Sequence, residues 1–341
     1  MARKKKVSMQ TIADHLQISK NAVSLALLNK KGVSEGVRRR VIEAAKELGY
    51  GRFGESRLPE RGNILVLVPE RVMDYEDNDH FQFFHDMIWG IEGSIRNRGL
   101  NAVLVRITAD MEQRLELPRH CAEIAYRGIV LFGALKEAYV RRVWELDVPL
   151  VMLDSYHRSL PCPAVVSANV EGAYEAVSLL IASGYREIGF IGPVNLASSH
   201  EERWQGYWKA MFDHDLTIQR EDILTHSVSY QESEQEIHDF LKGMSPLPQA
   251  FFCGNDRIAY LLAKELEQRG LKVPEDIALV GFDDLQYKGS IDIALTTMRV
   301  EKERMCEAAA DLLLSLTESL REAVRIYVRP TLISRTSHLK P

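Results

Sequence analysis

From Asn63 onward the chain alternates short apolar runs with longer amphipathic stretches, and this alternation restricts the fold more than any other feature. Ile64 to Val68 is an unbroken run of Ile, Leu and Val, the composition of a strand buried on both faces. A helix follows over Phe81 to Arg98, ended by Gly99. Strands are then predicted at Ala102 to Val105, Gly128 to Phe132 and Leu150 to Leu153, with part of a helix at Val140 to Leu146. Strands that alternate with helices imply a parallel sheet covered on both sides. The rhythm repeats in a second half, opened by Val165 and Val166. Helices are predicted there at Tyr174 to Ala182, Glu202 to Phe212, Glu234 to Leu241 and Ile258 to Arg269, with strands at Ile188 to Ile191, near Leu224, at Ala250 to Cys253 and at Ala278 to Gly281. Two sheets of similar size point to an α/β core of two lobes, with a ligand cleft at the carboxyl ends of the strands.

The first sixty residues follow another pattern. Ile12 and Leu16 stand four apart, as do Val23 and Leu27, so each pair lies on one face of a short helix. Ser8 and Ser19 are placed to cap the two helices, and only Gln17 and Ile18 lie between them and the second cap. That is helix-turn-helix spacing, with Lys20, Asn21, Ser24 and Leu25 presented outward. A third helix, capped by Ser34, turns Val41, Ala45 and Leu48 inward. The segment is also basic. Residues 1–61 hold fourteen Lys or Arg against six acids, an excess of eight, whereas the remainder holds 29 against 42, a deficit of 13. A basic head on an acidic body favours a polyanionic partner for the head alone.

No apolar run approaches the ~20 residues of a membrane span. The basic start leads into the helix pair without an apolar signal core, so a cytoplasmic protein is expected. Cys121, Cys162, Cys253 and Cys306 are dispersed without metal-type spacing, which suits free thiols and predicts no metal site. The ten histidines include no His-Glu-x-x-His pair, and there is no Gly-x-Ser-x-Gly elbow, Walker loop or Gly-x-Gly-x-x-Gly. No catalytic residue and no cofactor is assigned. Gly51 to Gly62, with Gly54 and Pro59, reads as a linker.

Several ordered motifs resemble those of the LacI/GalR transcriptional repressors. In the head they end in Val33-Ser34-Glu35 and Leu48-Gly49-Tyr50. In the core they are Ile188-Gly189-Phe190-Ile191-Gly192, Arg203 with Gly206, Asn255-Asp256, the run from Glu267 to Ile277 into Val280-Gly281-Phe282-Asp283-Asp284, Leu295-Thr296-Thr297 and Arg329 to Arg335. The similarity spans roughly residues 7–336. It implies a homodimer bound to a near-palindromic double-stranded operator through two heads, nucleoid-associated, with a periplasmic-binding-protein-like core closing on a small effector. It implies a head of residues 1–50, a linker of 51–62 and a core of 63–341. Lobe one is expected at about 63–166 and 293–323, and lobe two at about 167–292 and 324–336.

Matched residue by residue, the resemblance places Lys20, Asn21 and Leu25 at bases and Ser8, Ser24 and Asn29 at phosphates, with Ala22 beside them. Asn21 suits a bidentate pair with adenine, and Lys20 suits either guanine acceptors or a phosphate. Leu25 stands where many relatives carry arginine, which exchanges a guanine-reading fork for an apolar contact. The linker lacks the relatives' hinge-helix residues; Leu58 or Phe53 as a minor-groove wedge and a plain tether are the two readings. In the cleft the matched positions are Asp154, Arg203 and Asp256, where carboxylates and a guanidinium suit hydroxyl groups and hence a carbohydrate or polyol. Phe81, Phe84 and Trp204 are either stacking faces or core. Asn255 and Asp283 are either caps or ligand contacts. The acidic loop Asp74 to His80 lacks a calcium-loop pattern, and if it lines the cleft it disfavours an anionic effector. A sugar receptor or an enzyme on the same core is the alternative function.

Overall fold

The structure is a computed structural model and describes residues 9–27, 32–48, 62–73, 81–285, 293–316 and 323–340. It divides into two units, Met1–Arg61 and Gly62–Pro341.

The first unit contains α1 (Met9–Leu16), α2 (Lys20–Leu27) and α3 (Glu35–Glu47). The turn between α1 and α2 is set by Gln17 at φ +52°, with the Ile18 N–H donating to the Ala13 carbonyl at 3.1 Å. Ser19 caps α2 by accepting the Ala22 N–H at 3.0 Å, and Ser34 accepts the Val37 N–H at 3.4 Å. Ile12, Ala13, Val23, Ala26, Val41, Ala44 and Ala45 form the buried centre. Four of these are alanines, which lets the three helices approach closely enough to bury a core from so short a segment. The expected cap Ser8, the contact Asn29, the Leu27 side chain, Lys4 to Lys6, linker residues 51–61 and the loop Asp74 to His80 lie outside the described residues.

The second unit is built on two six-stranded sheets. Its first part runs β1 (Asn63–Pro69), α4 (Phe81–Asn97), β2 (Asn101–Ile107), α5 (Ala109–Arg114), α6 (His120–Glu123), β3 (Tyr126–Phe132), α7 (Glu137–Trp144), β4 (Leu150–Leu153) and β5 (Ala164–Ser167). It continues with α8 (Asn169–Ala182), β6 (Ile188–Ile191), α9 (Ser198–Asp213), β7 (Ile223–Leu224), α10 (Ser233–Lys242), β8 (Ala250–Cys253), α11 (Asp256–Gln268), β9 (Ala278–Asp283) and β10 (Thr296–Arg299). It closes with α12 (Lys302–Ser315), β11 (Arg325–Val328) and β12 (Thr331–Ile333). The first sheet has the order β11-β5-β4-β3-β1-β2, all parallel; the second is β12-β10-β9-β8-β6-β7, parallel except where β12 runs against β10. Ile64, Val66 and Val68 of β1 enter one apolar cluster while Leu65 and Leu67 enter another, as a strand covered on both faces requires.

The lobe boundaries differ from expectation. Val165 and Val166 do not open the second half; they lie in β5, inside the first sheet between β4 and β11. Residues 296–299, assigned to lobe one, form β10 of the second sheet, and residues 325–328, assigned to lobe two, form β11 of the first. The chain therefore passes between sheets three times: after β5, after β10, and between β11 and β12. β10 left little trace in the sequence because two of its four residues, Thr296 and Thr297, are polar yet wholly buried. Their hydroxyls are satisfied through tertiary contacts: that of Thr296 with His338 and the Arg335 N–H, that of Thr297 with Asp256 and the Asp284 N–H.

Candidate functional site: a buried charged cluster where the sheets end

Asp154 follows β4 and takes a left-handed backbone at φ +67°, with its N–H donating to the Val165 carbonyl at 2.9 Å. Its side chain is half-buried and makes no hydrogen bond or ion pair among the described residues. Burial, reinforced by Asp283 and only partly opposed by Arg203, pushes its carboxyl up to about 7.

Arg203, on α9, is 5% exposed and has its fork committed on three sides. Nε donates to Asn169 Oδ1 at 3.0 Å, one terminal nitrogen to the Gly254 carbonyl at 2.7 Å, and the other to Asp283 Oδ1 at 2.9 Å. Its guanidinium carbon lies 3.8 Å from the centre of the Phe282 ring. Next to it on α9, Glu202 accepts the Tyr156 hydroxyl at 2.6 Å and the Asn169 amide at 2.9 Å. Gly206, three residues past Arg203, is required by close approach. A Cβ there would lie 2.3 Å from the Val170 carbonyl oxygen, so only glycine lets α9 pack this tightly on α8.

Asp283 and Asp284 are neighbours with separate tasks. Both have positive φ, +112° and +55°, a strain of about 1–3 kcal/mol each for residues other than glycine. Asp283 faces Arg203, while Asp284 accepts from Arg299 and Arg335, each at 2.7 Å. Asp283 is thus part of the cluster as well as of the turn. Asn255 caps α11 by accepting the Ile258 N–H at 3.0 Å, and its amide lies 3.4 Å from His200 Nε2.

The structure corrects the expectation for Asp256. It is 0% exposed, with one oxygen accepting the Thr297 hydroxyl at 2.6 Å and the other the Leu285 N–H at 2.7 Å. A Cβ on Gly281 would fall 2.1 Å from it. Asp256 is a latch joining β9, β10 and α11, and the carboxylate beside Arg203 is that of Asp283. Trp204 spends its ring on the core, stacked at 23° on Tyr207 with centroids 5.2 Å apart and 5.1 Å from Phe190. Phe81 begins α4, half-buried, 5.3 Å from the His85 ring, and Phe84 meets Phe132 edge-on.

Sequence reasoning missed Asn169, Tyr156, Glu202, His200 and Tyr230. Glu202 had one visible signal, a carboxylate adjacent to Arg203 on a helix. Tyr230 had none: it stands in the segment between β7 and α10, and the fold brings its ring 6.2 Å from His200. It is 36% exposed, and its phenol is raised above the ordinary value, with Arg203, Asp283 and Asp154 among the charges that act on it. Among the described residues no group of His, Cys, Asp or Glu is arranged to hold a metal ion, and no helix is long and apolar enough to cross a membrane.

On the head, Lys20 and Asn21 are exposed in the first turn of α2, and Ala22, Ser24 and Leu25 are half-buried along it. The cap at Ser19 fixes where this edge begins.

A helix-turn-helix unit together with a two-sheet core whose charged cluster lies at the strand ends defines a ligand-responsive DNA-binding protein. The comparisons agree. Residues 177–338 match the periplasmic binding protein-like domain family. The chain is 29% identical over 313 residues to the HTH-type transcriptional repressor CytR of Escherichia coli, covering 90% of this chain and 89% of CytR. It is 25% identical over 335 residues to the repressor PurR of Aliivibrio salmonicida, covering 97% and 98%. Its fold is similar to that of a transcriptional regulator CelR–cellobiose complex (TM-score 0.69, 23% identity, 97% of this chain and 100% of that one). It is similar also to a lac repressor dimer bound to operator and the anti-inducer ONPF (TM-score 0.67, 20% identity, 98% and 100%). Over nearly its whole length the chain thus resembles HTH-type transcriptional repressors, and its fold is that of LacI-family regulators of known structure.

Proposed function

We propose that this protein is a sequence-specific transcriptional repressor, acting as a homodimer in the cytoplasm at the nucleoid, whose operator affinity is modulated by a small polyhydroxyl effector held between the core lobes. Residues 1–50 grip DNA, 51–62 tether, and the remainder binds effector and partner. The observation that carries the reading is the Arg203 cluster, a buried fork of donors and carboxylates at the carboxyl ends of parallel strands. Such an arrangement suits hydroxyl groups, which both donate and accept. The cellobiose complex of a structurally similar regulator supports a carbohydrate class.

The residues assigned to bases are Lys20, Asn21 and Leu25, with Ala22 beside them and Ser8, Ser24 and Asn29 on phosphates. One recognition helix covers only a half-site, so two heads are needed. Asp154, Arg203 and Asp283 are assigned to the effector, with Phe81 as an apolar wall. No catalytic step is assigned.

The test is selection of bound sequences from a random DNA pool by the full-length protein, with and without a panel of sugars. The expected result is a palindromic consensus whose recovery changes with one sugar or a related set. Absence of any preferred sequence overturns the DNA reading, and a consensus indifferent to every sugar overturns the effector reading.

A further inference from the structure

We propose that the outward face of α9 is a self-association surface on which two copies of this chain meet with their helices antiparallel, and that this contact joins one homodimer to another. The contact is additional to the pairing that operator binding requires, and its absence leaves that pairing intact.

α9 packs inward through Arg203, Gly206, Tyr207, Ala210 and Met211, all buried. On the side turned to solvent Trp208 is 48% exposed and Phe212 64%, one helical turn apart. Their rings stack on each other, with centroids 5.3 Å apart and planes 11° apart. Single apolar residues scattered over a surface are ordinary. Two large rings stacked in the open form a patch, and they are of the residue types enriched at the centres of interfaces. Beside them, on the same exposed arc of the helix, Lys209 pairs with Asp213 one turn further on.

The order of these four side chains selects the occupant. When two antiparallel helices are related by a two-fold axis, each column of side chains faces the same column of the other copy in reverse order. With the axis level with Ala210 and Met211, Trp208 lies opposite the second copy's Phe212 and Lys209 opposite its Asp213, and each pairing occurs twice. A parallel arrangement sets the ring column against the charged column instead. In the antiparallel one the four rings cover one another, and each lysine exchanges an acid on its own helix for one across the interface. The exchange costs little, because an exposed pair one turn apart contributes little. One cation and one anion leave the face neutral, so a strongly charged partner gains no net attraction, whereas a second copy gains two complementary pairs. The two rings expose about 200 Å² per copy, and two copies about 400 Å², against ~1,600 Å² for a standard stable interface. That area is too small to hold the homodimer. It suits a weaker contact between dimers, one that strengthens when two of them are held close along the same DNA.

The experiment is sedimentation of the full-length protein at low ionic strength, where exposed charges are least screened, from micromolar to near-millimolar concentration. Thermal unfolding checks that each variant is folded; all four positions are exposed, so their replacement spares the core. The wild type is expected to pass from dimer to tetramer. Trp208→Ser together with Phe212→Ser should raise the concentration at which the tetramer forms by about tenfold or more and leave the dimer intact. Lys209→Asp sets acids against acids and Asp213→Lys sets bases against bases, so each alone should weaken the tetramer. An equimolar mixture of the two should restore it as a mixed species. A wild type that stays dimeric at every concentration overturns the proposal and leaves the homodimer standing, whereas a wild type that is monomeric throughout overturns the homodimer as well. Monomers produced by the double serine variant show that α9 holds the dimer itself, which overturns a contact between dimers. A tetramer indifferent to the serine variant overturns the placement on this face, and charge variants that do not rescue each other overturn the antiparallel pairing.

Discussion

At the scale of single residues, the proposed function gives one group the charge of the cleft and another what the head reads. The folded protein holds the Asp154 proton up to about pH 7, whereas the unfolded chain releases it near the ordinary value of 3.8. The folded state therefore binds more protons between these values, and the stability this contributes is complete below about pH 4 and lost as pH rises through 7. Asp154→Asn should flatten that dependence, matching the wild type near pH 5 and exceeding its melting temperature by ~2–4 °C at pH 8, as read by thermal unfolding across pH. On the head, Leu25→Arg exchanges an apolar contact for a guanidinium fork. It is expected to shift base preference at one position of each half-site by ~1–3 kcal/mol, measured by selection on the two proteins side by side. An unchanged profile removes Leu25 from the base-reading set. Asp154, Arg203 and the edge of α2 were legible as candidates because their residue types stand at family positions. Asp256 was misjudged because a sequence does not show whether a carboxylate's oxygens are already spent on Thr297 and Leu285.

At the scale of elements, most of the helices and strands follow from local pattern, and their spacing follows from a few small side chains. β4, β6 and β8 begin and end where apolar continuity does, at Leu150–Leu153, Ile188–Ile191 and Ala250–Cys253. α4 stops short of Gly99 as the breaker implies. Gly206→Ala should cost about 1–3 kcal/mol in chemical denaturation by forcing α9 away from the Val170 carbonyl. Because Arg203 rides on the same helix, effector affinity should fall with it. In the head, Ser19→Ala removes the acceptor for the Ala22 N–H and should cost ~1 kcal/mol of head stability. Weaker operator binding without altered base preference is the expected readout. Among the elements that escaped the sequence are β10 and β11, four residues each; in β10 the buried Thr296 and Thr297 find their side-chain partners in distant segments. No window along the chain contains the information that buries them.

At the scale of the whole molecule, the core works as two sheets joined by three passages of chain and by contacts that cross between them. Tyr156, between β4 and β5, reaches Glu202 on α9, and Arg158 from the same segment pairs with Glu201. Tyr156→Phe leaves Glu202 with the Asn169 amide alone. The loss should cost ~1–3 kcal/mol and weaken effector binding in calorimetry more than it weakens operator binding. By contrast Arg158→Ala, which removes an exposed pair, should change stability by less than about 1 kcal/mol. The basic head on an acidic body has its own consequence. Operator affinity should fall steeply with salt, while effector binding to the core should change little over the same range. Equal salt dependence of the two would place DNA binding outside the head.

The sequence by itself determined the class of the core, the helix-turn-helix head and its charge, because apolar periodicity, capping residues and net charge are local or additive properties. Only the tertiary structure decided which sheet receives β10 and β11, that Asp256 is a latch, and that Asp283, Asn169 and Tyr156 surround the α9 pair Glu202 and Arg203. Those outcomes depend on which distant donor reaches which buried acceptor. A hydrogen bond of 2.6–2.9 Å between residues 33 to 80 positions apart leaves no mark on either neighbourhood of the chain.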